Sequence, residues 1–262
     1  MSRHIPVTIL SYRQPAKLAR CLAALEAQRH VISDMYIHRN DDVNLFCSGG
    51  FNAGLRRWLD RGIDGAEYHA LVTQDCQLAP ECLWRLSEFM DDTPRCGIAG
   101  IKQIAEDGDT IIHGGCTQAF PNGIHIGGSK AAGNCSESAL MPWVNGSVMM
   151  LRRRCIQDIG LFDENMKLVG IESDLCYRAR VANWQVWYCA EAECTHEAGG
   201  VSGNPSPELV TIFQDDMLHW GNKWMSFDGK QWTWSGSGTR LMLEFQSTRI
   251  SVGTPTMKAT GL

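Results

Sequence analysis

The chain has 262 residues, 44% of them hydrophobic, which suits one large α/β domain or two small ones with a real core. A formal net charge of −5 and a pI near 5.9 argue against broad electrostatic binding to nucleic acid. The 11 cysteines form no CxxC pair and do not read as a disulfide framework. With no signal segment at the N-terminus and no apolar run of membrane-spanning length, the chain reads as cytoplasmic, with reduced thiols.

Ile5–Leu10 is a short apolar run, a buried strand by length and composition. Ser11-Tyr12-Arg13-Gln14-Pro15 breaks it, and an amphipathic helix follows from Ala16 to Ala27. Strand, polar turn and helix open a parallel α/β unit, in which ligands bind at the carboxyl ends of the strands. Ser11, Tyr12 and Arg13 therefore fall at the edge of a site. Asp34–His38 reads as a second strand, ending in Arg39-Asn40-Asp41-Asp42. Ser48-Gly49-Gly50-Phe51-Asn52-Ala53-Gly54 opens a helix that ends near Asp60, with Ser48 as its N-cap. The exposed amides of that start can receive a phosphate or a sugar hydroxyl, although the string matches neither standard phosphate-loop pattern. Tyr68–Thr73 is a buried strand running into Thr73-Gln74-Asp75-Cys76, and an amphipathic helix extends past Pro80 to about Met90. Cys96–Ile101 is another strand. From Gln103 to Ser138 the chain is glycine-rich and polar, which reads as a small hairpin and a mobile loop over the site.

Val144–Leu151 reads as a strand carrying Gly146 where a side chain is expected, a mark of close approach by a ligand or backbone. Arg152–Ile159 looks helical, and Gly160-Leu161-Phe162-Asp163-Glu164 forms a turn. The next helix opens with Glu172-Ser173-Asp174 and runs through Arg178 and Arg180. A short aromatic strand, Gln185–Tyr188, leads to His196. Glu172 and Asp174 are two apart and cannot share a helix face. Asp174 lies four before Arg178, the order of a surface ion pair. Glu172 is left to point elsewhere, at a helix N-terminus whose dipole favours the ionised form a general base needs. The plainer alternative is that both acids cap the helix. A Cys/His zinc site around Cys189, Cys194 and His196 lacks the paired spacing of zinc modules. Beyond His196, Ala198–Pro207 is a candidate lid and Glu208–Met225 looks helical. Gly229–Leu262, with Trp232, Trp234 and alternation from Arg240 to Ile250, reads as a hairpin appendage whose tryptophans pack on the core rather than on sugar rings.

Four of these motifs, in their order and spacing, resemble the inverting family-2 glycosyltransferases of the GT-A fold, in particular rhamnosyl- and galactofuranosyl-transferases. They are Trp143-Val144-Asn145-Gly146-Ser147 with Arg152; Gly160-Leu161-Phe162-Asp163-Glu164; Glu172-Ser173-Asp174-Leu175-Cys176-Tyr177-Arg178; and the lone His196. The resemblance implies a GT-A α/β domain over 1–228, with a mostly parallel central sheet and flanking helices, and an appendage over 229–262. It implies transfer of a hexosyl or pentosyl group, with inversion, from a nucleotide-diphosphate sugar to a carbohydrate or other hydroxyl-bearing acceptor, assisted by Mn²⁺ or Mg²⁺. On this likeness Ser11, Tyr12, Arg13, Arg39, Asn40, Asn44, Gly50, Asn52, Gln74, Asp75 and Gly146 face the donor, and Trp143 and Asn145 the acceptor. Asp75 and His196 would hold the metal. Glu172 would be the base, with Asp174 beside it as a second catalytic acid.

The chain departs from the family's pattern at three places. Glu172 stands where an aspartate is usual, and Thr73 replaces the first acid of the DxD metal motif, leaving Asp75. Arg39 takes the place of the aspartate that faces the nucleobase, and an arginine cannot accept a hydrogen bond from a uracil imide. Asp41 or Asp42 can substitute with a one-residue shift. Two other readings stay open, a non-catalytic nucleotide-sugar-binding module and a nucleotidyltransferase of similar architecture. The missing acid of DxD favours the first, and the lack of a basic glycine-rich N-terminal loop counts against the second.

Overall fold

In the first half of the chain, short apolar runs alternate with amphipathic segments, and most such pairs fold as a strand and a helix. The computed structural model describes residues 2–41, 43–61, 65–123, 125–127, 134–197 and 205–253. The elements begin with β1 (Arg3–His4), β2 (Val7–Ser11), α1 (Pro15–Glu26), β3 (Val31–Ile32), β4 (Met35–Arg39), α2 (Phe46–Leu59), β5 (Tyr68–Thr73), β6 (Cys76–Leu78) and α3 (Cys82–Asp92). Next come β7 (Cys96–Ile104), β8 (Ile111–His113), β9 (Ala139–Leu140), β10 (Val148–Arg152), α4 (Arg153–Ile159), α5 (Ile171–Val181) and β11 (Gln185–His196). The described chain ends with α6 (Pro207–Trp224), β12 (Met225–Phe227), β13 (Trp232–Trp234) and α7 (Ser237–Ser247).

The main sheet runs β4-β2-β5-β10-β7-β11-β6, with β8 on β7 and β9 on β11. β4, β2, β5, β7 and β11 share one direction, and β10 runs against both its neighbours. Because side chains alternate across a strand, each strand feeds two cores. Leu71 and Met149 join one with α2, α5 and α6; Val72 and Val148 join the other with α1 and α3. Helices thus cover both faces, as a mostly parallel sheet requires.

β10 is antiparallel, so its first residues lie at the same sheet edge as the last residues of β2 and β5. Val148 pairs with Val72, and Leu10 pairs with Thr73. Ser11, Thr73, Ser147 and His196 therefore gather at one edge. The strand expected over Val144–Leu151 starts only at Val148, because Asn145 Oδ1 accepts the Ser147 amide at 2.8 Å and turns the chain. The aromatic strand expected over Gln185–Tyr188 continues to His196.

Ser48 is not the N-cap of α2. The helix starts at Phe46 with Leu45 at the cap, three residues earlier, since Asn40 Oδ1 accepts the Leu45 amide and Asn44 Oδ1 the Phe46 amide, both at 2.9 Å. The amides of Cys47 and Ser48 go to the Lys167 carbonyl, at 3.0 and 3.4 Å, so this helix start offers them to no phosphate. At the other end of the chain, β12 and β13 pair as a hairpin over Met225–Trp234. The alternation from Arg240 to Ile250 is not a strand but α7, where Leu241, Met242 and Phe245 form one buried face and Leu243 is exposed. Tyr177 of α5 packs against Trp220, Trp224, Trp234 and Phe245, which joins this region to the main core. Gly127-Gly128 and most of the expected lid fall partly or wholly outside the described residues, as do positions 128–133 and 198–204.

Candidate functional site

The strand ends open onto a cleft of about 670 Å³. Ser11, Tyr12, Arg13, Asn40, Asn44, Gln74 and Asp75, all of them sequence candidates for the donor site, line it. Leu168 and the start of α6 form the facing wall. Gln74 fastens the β2–α1 turn to the end of β5. Its Oε1 accepts Ser11 Oγ at 2.9 Å and the Tyr12 amide at 3.0 Å, and its Nε2 donates to the Tyr12 carbonyl at 2.7 Å. Arg13 sits at φ 51, a left-handed conformation that costs a non-glycine residue energy and tends to persist at functional sites. Asp41 Oδ1 holds it there by accepting the Arg13 amide at 2.8 Å, so Asp41 is tied to this turn; Asp42 lies outside the described residues.

Several expected donor residues, Asn40 among them, spend their side chains on the scaffold. Asn40 is 6% exposed and spends its side chain on Leu45, Phe46 and His38. A Cβ on Gly50 would come within 2.4 Å of Leu10 and 2.9 Å of His38, so that glycine lets α2 lie close on the sheet. Asn52 is buried with its amide divided between the Phe162 backbone and Glu164. Arg39 is exposed at the end of β4 and does not line the cleft. Trp143, expected to face the acceptor, is 3% exposed; it packs against Phe120 and His125 and donates Nε1 to the Gln118 carbonyl.

Asp75 and His196 come together. Asp75 Oδ1 accepts Thr73 Oγ1 at 2.5 Å, and Oδ2 faces His196 Nε2 at 3.5 Å. Burial pushes the Asp75 carboxyl up, but the bonds from His196 and Thr73 outweigh it and hold it below its usual range. Burial likewise pushes His196 down, and Asp75 with Cys76 more than reverses it. The buried Gln103 orients this histidine: His196 Nδ1 donates to Gln103 Oε1 at 2.9 Å, and Gln103 Nε2 donates to Asn145 Oδ1 at 3.0 Å. Asn145 holds Ser147, whose carbonyl accepts the Thr73 amide at 2.8 Å. The ring closes from Thr73 through Asp75, His196, Gln103, Asn145 and Ser147. Gln103 has no local signal in the sequence; only the pairing of β7 with β11 brings it to His196. With Nδ1–H committed to Gln103, Nε2 is the nitrogen that ligates once it gives up its proton, and a nitrogen beside a carboxylate suits Mn²⁺ better than Mg²⁺. Cys76 Sγ lies within 4.8 Å of both ligand atoms. Neither Cys189 nor Cys194 joins a metal-sized cluster among the described residues.

Glu172 and Asp174 diverge. Asp174 is fully buried: Oδ2 accepts Arg178 Nε at 2.9 Å, and Oδ1 takes Trp224 Nε1 at 3.0 Å and Lys223 Nζ at 2.8 Å. The expected ion pair with Arg178 forms, but in the interior rather than on the surface. Glu172 is half-buried against Gly146, where an added Cβ would stand 3.5–3.8 Å from its side-chain carbons. Among the described residues no other side chain bonds its carboxyl, and burial pushes it up to about 7. Cys47, in the cleft wall, is raised to about 12 by burial and then by the charges of Glu172, Asp75 and Asp216, which places these acids around one thiol. No local pattern points to Asp216. Its carboxylate accepts the amides of Lys167, Leu168 and Val169 at 2.7–2.9 Å, fixing the loop that leads into Glu172.

No family model matches the chain, and no curated protein does. Among solved structures, GalNAc-T7 with UDP, GalNAc and Mn²⁺ aligns at a TM-score of 0.57 and 11% identity, over 83% of this chain and 48% of its own. Staphylococcus aureus TarS aligns at 0.57 and 13%, over 96% and 44%, and its 1–349 fragment at 0.51 and 12%, over 83% and 71%. The chain thus spans about half the length of the first two. At these identities the likeness establishes the fold, that of the GT-A glycosyltransferases.

Proposed function

We propose that the chain transfers a sugar from a nucleotide-diphosphate donor to an acceptor hydroxyl with inversion. The observation that carries this reading is Glu172: among the described residues no other side chain bonds its carboxyl, burial raises it to about 7, and it stands against Gly146, next to the Ser147 that pairs with the end of β5. A base works best when its pKa lies near the operating pH. Glu172 takes the proton of the acceptor hydroxyl while its oxygen bonds the anomeric carbon. The bond from that carbon to the diphosphate oxygen breaks on the opposite side, and the nucleoside diphosphate departs with the electron pair. Gly146 leaves room beside the carboxylate for the attacking hydroxyl.

Tyr12 and Arg13, with Arg13 held over the Tyr12 ring at 4.8 Å, offer the nucleotide a flat cationic platform at the cleft wall. Asp75 and His196 are the residues that would hold Mn²⁺ or Mg²⁺, whose charge neutralises the diphosphate leaving group when bound. Gln103 and Thr73 keep the two ligands aimed at each other. A neighbour crystallised with UDP, GalNAc and Mn²⁺ is consistent with this assignment. We take 1–228 as the unit that carries the chemistry and 229–262 as an appendage, whose described part, to 253, packs against it. Unpaired thiols at all 11 cysteines fit a reducing compartment, and we assign the cytoplasm. No helix among the described residues is long and apolar enough to cross a membrane.

The test is a panel of nucleotide sugars with Mn²⁺. Slow donor hydrolysis, accelerated by an acceptor, supports the transferase. Donor binding without turnover points to a non-catalytic module, and pyrophosphate release to a nucleotidyltransferase.

A further inference from the structure

His113, Cys116 and His125 take no part in the transfer described above. β8 ends at His113, and an antiparallel bridge pairs Cys116 with His125. The Gly114 amide donates to the Ile126 carbonyl at 2.6 Å, and the Ile126 amide to Gly115 at 2.8 Å. This short ladder sets two imidazoles and a thiol side by side. His113 Nδ1 and His125 Nδ1 are 2.7 Å apart, and one ligand atom from each of the three residues lies within 4.8 Å of the others. Ligand atoms around a tetrahedral zinc, with bonds of about 2.0–2.3 Å, stand roughly 3.3–3.8 Å from one another. Shifts of about an ångström therefore close the set around an ion.

A second observation points the same way. His113 is fully buried, and its Nε2 has no hydrogen-bond partner. The bond between the rings answers one nitrogen of His113 and leaves the other unmet in either tautomer, a cost that buried polar groups normally avoid. Burial, and then the charges of His125 and His196, keep His113 neutral; burial and His196 do the same for His125. Neutral imidazole is the form that ligates. The Cys116 thiol is held protonated by burial and by Cys176 and Glu172, and a divalent ion reverses that preference. Two nitrogens and a sulfur suit a borderline-soft ion, whereas the Asp75 carboxylate with His196 suits a harder one.

We propose that His113, Cys116 and His125 form a second metal site, separate from Asp75 and His196, that takes Zn²⁺ with solvent in the fourth position. The ion ties the Cys116–His125 bridge to β8. His125 meets the Trp143 ring edge to face, with centroids 5.2 Å apart, and Gly123 lies against the same indole, so the tie steadies the segment that leads to Asn145.

The test strips the full chain with chelator, loads it with Zn²⁺ and measures retained zinc by mass spectrometry after gel filtration. Co²⁺ loading then reads out a thiolate-to-cobalt absorption band. Stoichiometric zinc and the band are expected in the parent and in Asp75→Ala. Both should be lost in Cys116→Ser, and zinc lost in His125→Ala, a variant at an exposed position that keeps its far-UV circular dichroism even where Cys116→Ser does not. The proposal is overturned if the parent retains no zinc, if His125→Ala retains it at the parent level, or if Asp75→Ala alone loses it.

Discussion

Asp174 and Glu172 stand two residues apart on α5, yet the regions they face compensate charge in opposite ways. Behind the helix every acid is answered. Asp174 has Arg178, Lys223 and Trp224; Asp163 has Lys223 and His219; Asp216 takes three backbone amides. Those partners, outweighing burial, hold Asp163 far below the usual carboxylate range. In front of the helix, among the described residues, Glu172 has no side-chain partner and is raised to about 7, and the Asp75 carboxylate has Thr73 and a histidine at 3.5 Å. A folded chain supplies partners wherever stability alone decides. Groups left short of them, in a cleft, are where substrate or metal completes the set.

The sharpest way to break this contrast is to exchange the roles of the two acids. Glu172→Gln keeps the shape and removes the base, so turnover should fall by about two to four orders of magnitude while donor affinity stays at the parental level. In the parent, kcat/KM should climb with pH toward a plateau above about 7, since Glu172 must lose its proton to act. Isothermal titration with donor and a pH–rate profile check both. A variant that still turns over near the parental rate removes Glu172 from the mechanism.

Asp174→Asn is expected to act on the fold. It removes the buried charge that Arg178 and Lys223 share, although Lys223 keeps Asp163 and Arg178 keeps the Ile159 and Leu161 carbonyls, so the loss is that of charge-assisted hydrogen bonds, roughly 1.5–3 kcal/mol. Urea unfolding should show the loss, with kcat per folded molecule nearly unchanged. If the variant is as stable as the parent but inactive, the catalytic role belongs to Asp174.

That pair also marks how far the sequence could be read. Spacing alone gives the Asp174–Arg178 partnership, because four residues set both on one helix face. Its burial depends on Lys223 and Trp224, about fifty residues later, which no local pattern reports. Strand–turn–helix units such as Val7–Ser11 with Pro15–Glu26 were legible because burial imposes a short apolar run and then a 3.6 period. α7 was not, because Leu241, Leu243 and Phe245 imitate strand alternation until Met242 is known to share the buried face. Of the site, Ser11, Tyr12, Arg13, Gln74 and Asp75 follow from the rule that parallel strands end at a ligand. Gly50 and Asn52 carry the right residue types but are spent on contacts with Leu10, His38 and Phe162. Gln103 and Asp216 act across the sheet and across helices, so only the assembled fold exposes them.

The front of the helix has its own smaller test. Gln103→Leu keeps volume but removes the acceptor that sets the His196 tautomer. Loss of such an orienting partner typically costs about 10- to 100-fold in metal affinity. Titration of Mn²⁺ in the presence of donor should show that drop, with thermal stability changed far less. Parental Mn²⁺ affinity would mean that the ring from Thr73 to Ser147 does not tune the ligands.

The smallest effect carries the contrast into stability. The Glu172 carboxyl sits at about 7 in the fold, above its ordinary value of 4.5, because burial penalises the charged form. A raised carboxyl binds its proton more tightly folded than unfolded. Its favourable contribution is therefore complete below about pH 4.5 and is lost as pH rises through about 7. At neutral pH the parent carries an uncompensated carboxylate that Glu172→Gln lacks. Its partial exposure lets water screen part of the cost, so the variant should gain on the order of 1–2 kcal/mol above pH 7 and little at pH 4. Comparing parent and variant by denaturant unfolding across that range cancels every other titrating group. The gap should open from about pH 4.5 and level off above 7; a gap that does not change with pH would show that Glu172 titrates as an ordinary solvated acid. A gap that opens with pH means that Glu172 raises the rate and lowers the stability, whereas Asp174 serves stability alone.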